Sequence, residues 1–167
     1  MTEHLLTPSQ TVGPFFAIGL PWAAGPYAAA QETPGALWLR GRVVDGAGEP
    51  VPDALIETWQ SNGPGRRFAR SATEADGTYA IRFVKPGPDE LHQAPHLAMS
   101  VFARGLLDRV VTRVYFDDEA VANATDPVLA LIGDPDRRAT LIAVTEGDGY
   151  RFDIRLQGAG ETVFLAI

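Results

Sequence analysis

Between Lys85 and Arg104 the chain reads Lys85-Pro86-Gly87-Pro88-Asp89-Glu90-Leu91-His92-Gln93-Ala94-Pro95-His96-Leu97-Ala98-Met99-Ser100-Val101-Phe102-Ala103-Arg104, a stretch that holds two of the protein's three histidines. Side chains alternate faces along a strand, so a His-x-His pair would present two imidazoles on one side as a metal clamp. Here His96 is followed two positions on by Ala98, which leaves one imidazole and one methyl group. His92 can approach His96 around the turn, and Asp89 and Glu90 can in principle complete a mixed nitrogen and oxygen set. Against this, two histidines alone rarely hold a metal, and carboxylates in a proline-rich turn are usually solvated. A lone histidine beside a buried strand is more often a hydrogen-bonded core residue. His4 lies in the terminal tail. The stretch has the frame of a metal site without the means to hold the metal.

Arg104 ends this stretch beside Gly105. It is either a surface charge paired with a carboxylate such as Asp108, or a guanidinium fork at a cleft edge for a carboxylate ligand. Arg66, Arg67 and Arg70 read as a solvated basic loop, and Arg137-Arg138 as charges at the start of an edge strand. The sequence contains no glycine-rich phosphate loop, no nucleophile elbow and no zinc-type Cys/His spacing.

The elements that must position these residues are strands. The 167 residues suit one domain with a real core. A net charge of −7 opposes nucleic-acid binding, and a small anionic substrate would need a local arginine to offset the field. There is no cysteine, hence no disulfide scaffold or thiolate metal site, and the N-terminus shows no signal peptide or membrane span; a cytoplasmic protein is expected. Asn123-Ala124-Thr125 matches a glycosylation sequon, to which the lack of a leader gives no weight. Thirteen prolines and seventeen glycines point to many turns and a β-rich fold.

Residues 1–35 read as an arm and loop, too apolar for a disordered linker. The arm packs either on its own domain or on another subunit, with Phe15, Phe16 and Trp22 as anchors. Strands are expected over 37–44, 51–60, 78–84, the run after Pro95, 109–116, 139–144, 150–157 and 161–167. The stretch 117–132 is the one helical candidate, capped by Asp117 or Asp118 and broken by Pro127. Seven or eight strands at roughly ten-residue spacing suggest an all-β, antiparallel sandwich over 36–167.

Gly41-Arg42-Val43-Val44-Asp45 and Pro50-Val51-Pro52-Asp53-Ala54-Leu55-Ile56-Glu57-Thr58-Trp59-Gln60 resemble the opening strands of the intradiol ring-cleavage dioxygenases. Ala75-Asp76-Gly77-Thr78-Tyr79, Val84-Lys85-Pro86-Gly87, Val101-Phe102-Ala103-Arg104-Gly105, Thr112-Arg113-Val114-Tyr115-Phe116-Asp117-Asp118-Glu119 and Tyr150-Arg151-Phe152-Asp153-Ile154-Arg155-Leu156-Gln157-Gly158 extend the likeness. Thr7-Pro8-Ser9-Gln10-Thr11-Val12-Gly13-Pro14-Phe15 carries it into the arm.

The resemblance implies a prealbumin-like sandwich and, in iron-bearing members, Fe(III) held by two tyrosines and two histidines. At those positions this chain has Gly65-Arg66-Arg67-Phe68 in place of the first tyrosine, Asp89 in place of the second, and His96 with Ala98. One His cannot replace tyrosinate donors for Fe(III). The departure is the one expected of the family's non-iron chains. The resemblance further implies a homologous, iron-bearing partner chain in a hetero-oligomer, with O2-dependent opening of a carboxylated catechol at the junction. Carried over, Thr11, Gly13, Pro14 and Arg104 would bind substrate, and this chain would supply neither catalytic residue nor metal ligand. The 66–70 loop is shorter than in the family. The Gly41–Gly87 pattern alone also fits a stand-alone prealbumin-like binding module.

Overall fold

Burial alternates residue by residue over 78–84 and 96–102, the runs that face the core most regularly. In the computed structural model, residues 6–11, 13–30, 32–60, 67–87 and 93–166 are described. The strands are β1 (Ala36–Val44), β2 (Leu55–Gln60), β3 (Arg67–Ala72), β4 (Thr78–Val84), β5 (His96–Phe102), β6 (Val110–Phe116), β7 (Ile142–Glu146), β8 (Gly149–Arg151) and β9 (Ile154–Arg155). Tyr79, Ile81 and Phe83 of β4, Leu97, Met99 and Val101 of β5, and Val114 and Phe116 of β6 point into one buried core with Leu39 and Ile56. The Phe83 and Phe116 rings stack at 5.9 Å, and Tyr150 tilts against Phe116 at 4.7 Å.

The strands follow the order β3-β2-β5-β6-β7-β8-β1-β4, with β9 beside β1. The β-rich character is as expected, but the sheet is mixed rather than antiparallel: β6–β7, β1–β8 and β1–β9 pair in parallel. A parallel neighbour needs a crossover of a dozen or more residues. Residues 117–141 supply one, as a 3-10 turn and the short helices α2 (Ala120–Thr125), α3 (Pro127–Ala130) and α4 (Pro135–Ala139), following α1 (Phe16–Gly19) in the arm. The sheet curls so that its ends meet, with Ala80 N–H approaching Ser71 Oγ at 3.5 Å between β4 and β3. The result is a half-barrel around the core.

Several sequence expectations change. The helix at 117–132 does break at Pro127, but neither Asp117 nor Asp118 caps it. Only its second piece, α3, has a side-chain cap: Asp126 accepts the Val128 and Leu129 N–H groups at 2.9 Å each. Arg67 and Arg70 belong to β3 rather than a loop, and Arg66 lies outside the described residues. Arg137 and Arg138 close α4, where Arg138 donates to the Ile132 carbonyl at 2.7 Å. The regular 150–157 run is split because the Asp153 carboxylate takes the Arg42 N–H at 3.0 Å. Residues 161–166 form an extended tail but no strand, their backbone tied by the Thr112 hydroxyl to Val163 O (2.8 Å) and by Leu165 N–H to Val111 O (2.7 Å). Among the described residues no helix is long and apolar enough to cross a membrane.

Candidate functional site

The end of β5 runs through buried Ala103 to exposed Arg104 and then reverses at Gly105, whose φ of +89° is a left-handed conformation that glycine adopts without strain. The arm closes on this turn. Thr11 Oγ1 accepts the Gly105 N–H at 3.0 Å and faces the Gly13 N–H at 3.4 Å. Ser9 Oγ donates to the Leu107 carbonyl at 2.8 Å and sits 2.9 Å from the Asp108 carboxylate. Gly13 also has positive φ (+69°), and no atom lies within 4 Å of where a Cβ would stand. Pro14 lies in the turn before α1, its carbonyl accepting the Ala17 N–H at 3.2 Å. Phe16 of α1 is buried against Phe102, ring centroids 6.5 Å apart, while Phe15 is 77% exposed. Of the four residues expected to bind substrate, Thr11, Gly13 and Arg104 therefore meet around one turn, with Pro14 on the adjoining arm.

Arg104 does not pair with Asp108. Its Nε lies 2.9 Å from Oδ2 of Asp53, in the turn before β2, and its own side chain remains 60% exposed. Asp53 is the residue at this corner that the sequence did not point to. Its only local signal is the Pro52-Asp53 turn, and its partner stands far along the chain.

The metal frame sits on the outer face of β5. His96 and Ala98 share that face, Ala98 exposed. His96 Nδ1 lies 2.8 Å from the Ala94 carbonyl oxygen, a contact that requires the proton on Nδ1 and removes that nitrogen as a ligand. Its ring tilts against Tyr115 at 5.5 Å. Phe68 packs on Trp59 at 4.6 Å. Asp89, Glu90 and His92 lie outside the described residues. Among the described residues no three His, Cys, Asp or Glu side chains cluster as a metal site. Among the described residues, one imidazole beside an alanine and a phenylalanine is not a donor set for ferric iron.

This outer face is open at its middle, where a groove of about 480 Å³ is lined by Glu57, Trp59, Ala98, Ser100, Phe102 and Val111. One rim is held by Arg70, which donates Nε to Glu57 at 2.7 Å and Nη1 to the Leu20 carbonyl at 3.1 Å, under the Trp22 ring. A larger concavity, about 620 Å³ beside Trp38, contains Arg40, Arg42 and Arg151, but these already pair with Asp148, Asp76 and Asp153. Lys85 leads into the proline turn and is fixed between Asp118 (2.8 Å) and Glu119 (2.6 Å). Burial disfavours its charge, yet the hydrogen bonds it donates to Asp118 and Glu119 outweigh this and hold the ammonium well above its ordinary value.

A family profile described as "Dioxygenase" matches residues 12–158. The protocatechuate 3,4-dioxygenase alpha chain of Burkholderia cepacia is 41% identical over 202 aligned positions that span the whole of both chains. The chain belongs to the intradiol dioxygenase family. The same organism's protocatechuate 3,4-dioxygenase beta chain is also similar, 31% identical over 74% of this chain and 65% of that one. Among solved structures, the dioxygenase domain of a carbohydrate-binding fusion protein from Streptomyces sp. SirexAA-E superposes with a TM-score of 0.57 at 23% identity, over 80% of this chain and 87% of that one, which shows a shared intradiol dioxygenase fold. Within that family this chain keeps the sheet and turns, and among the described residues its outer β5 face gathers no group of three metal donors.

Proposed function

We propose that this chain is the iron-free α subunit of a protocatechuate 3,4-dioxygenase. A homologous β chain would hold the Fe(III), and the two together would open protocatechuate with O2 between its hydroxyl-bearing carbons to give 3-carboxy-cis,cis-muconate. The reading places the complex in the cytoplasm and the 1–35 arm against the partner, with 36–167 as a prealbumin-like sandwich domain. The arm's exposed Phe15, Ile18 and Leu20 support the second point, since apolar side chains left in water favour a partner surface. The observation that carries the proposal is 41% identity to an alpha chain over the full length of both chains, in a sequence with Gly65-Arg66-Arg67-Phe68, Asp89, and His96 with Ala98 where the resemblance puts the iron ligands.

This chain's own residues would shape and charge the substrate pocket. Thr11 ties the arm to the turn, so that Gly13 and Pro14 form a close wall. Arg104 supplies a positive fork at the wall's edge for the substrate carboxylate. The test is Arg104→Ala in the two-chain complex. It is expected to cut the preference for protocatechuate over catechol tenfold or more, chiefly through KM. Equal loss on both rings would show that Arg104 does not read the carboxylate.

A further inference from the structure

Asp53 is buried, and neither of its carboxylate oxygens has an aligned hydrogen bond among the described residues. A carboxylate in that state is costly unless a cation stands beside it. Arg104 is that cation, its Nε 2.9 Å from Oδ2: close enough for an ion pair, though not aligned as a hydrogen bond. A guanidinium offers two edges, one through Nε and one through its terminal nitrogens, and each can face a carboxylate. The contact uses the Nε side. The rest of the Arg104 side chain is solvent-exposed, and no ion pair to its terminal nitrogens is formed by the described residues.

We propose that Asp53 is a positioning residue: it holds Arg104 by its inner edge so that the outer edge is presented to the carboxylate of a mono-carboxylated ring. The inference rests on the α-subunit reading above and adds to it the residue that sets the arginine's direction. The Gly105 N–H bond to Thr11 fixes the backbone next to Arg104 from the other side. Asp53 thus directs a side chain whose root is already pinned.

The experiment uses the two-chain complex and compares kcat/KM for protocatechuate and for catechol in Asp53→Asn, Arg104→Lys, Arg104→Ala and the Asp53→Asn/Arg104→Ala double variant. Asp53→Asn is expected to lower the preference for the carboxylated ring about tenfold, through KM, and to add less than twofold in the Arg104→Ala background. Arg104→Lys keeps the charge that Asp53 needs, and so the fold, but one ammonium has no second edge; it is expected to lose the preference as well. Unaltered preference in Arg104→Lys, a higher preference in Asp53→Asn, or an Asp53→Asn effect undiminished in the Arg104→Ala background each overturns the proposal. The parent reading fails separately: an unsubstituted complex with no preference for protocatechuate sinks it, and this inference with it.

Discussion

Thr11 accepts the Gly105 N–H at 3.0 Å although 94 positions separate the two residues. This bond makes the arm part of the domain's own β5–β6 turn. A neutral hydrogen bond contributes about 0.5–1.5 kcal/mol net. Thr11→Val removes the acceptor at nearly constant shape and is expected to speed amide exchange at Gly105 roughly two- to tenfold by the same conversion. Thr11→Ser should restore the wild-type rate. Hydrogen exchange read at Gly105 decides it.

Asp126 is fully buried and serves four donors: the N–H groups of Ala94, Val128 and Leu129 at 2.9 Å and the Tyr115 hydroxyl at 3.0 Å. It joins the crossover helices to β6 and to the segment that enters β5. Asp126→Ala strands all four donors and is expected to cost about 3–5 kcal/mol, as loss of one partner of a buried charged network does. For a chain of this size that lowers Tm by roughly 6–20 °C. Tyr115→Phe removes one donor only and should cost about 1.5–3 kcal/mol. Calorimetry of both variants checks the ranking.

Stability should fall on the acid side. Burial raises the Asp126 carboxyl, but the N–H groups of Leu129 and Ala94, the Tyr115 hydroxyl and the Val128 N–H outweigh it and hold the group below the ordinary 3.8. Burial likewise raises Asp118, and its bonds to Lys85 and Tyr150 lower it further than burial lifts it. A depressed carboxyl stabilises the fold above its unfolded value, and that contribution is lost as pH drops through the folded one. Denaturation midpoints are expected to decline from about pH 4 downward. The decline should be shallower in Asp126→Asn than in the wild type. A titration of the urea midpoint from pH 6 to pH 2 reads this directly.

Gly41 lies where β1 crosses the break between β8 and β9. A Cβ there would collide with the backbone carbonyl of Phe152 and press on the Tyr79 ring. That carbonyl already accepts the Tyr79 hydroxyl at 2.7 Å, and the Phe152 N–H donates to Arg40 O at 2.8 Å, so neither strand can yield cheaply. Gly41→Ala is expected to cost about 3 kcal/mol or more, at the upper end of overpacking. Soluble yield and melting temperature measure it.

The strands that bury one face were legible because their period-two pattern survives in the side chains: Tyr79, Ile81 and Phe83 in β4, and Leu97, Met99 and Val101 in β5. β3 was hidden because Arg67 and Arg70 look solvated until Glu57 and Trp22 are placed beside Arg70. The split of 150–157 was hidden because Asp153 bonds a backbone group of β1, which no local pattern reveals. Asp126 was not singled out within 117–132, yet it is the cap of α3. The corner of Thr11, Gly13, Pro14 and Arg104 was reached through family likeness, not spacing. Asp53 escaped even that, since only the fold puts it next to Arg104.

At the centre of these proposals, this chain lends walls and charge to a reactive centre held by another polypeptide. The most direct measurement is iron content together with protocatechuate cleavage, for this chain purified alone and for the complex with its homologous partner. Negligible iron and no turnover are expected for the chain alone, and both restored at one iron per pair in the complex. Stoichiometric iron and ring cleavage by the lone chain would contradict the claim.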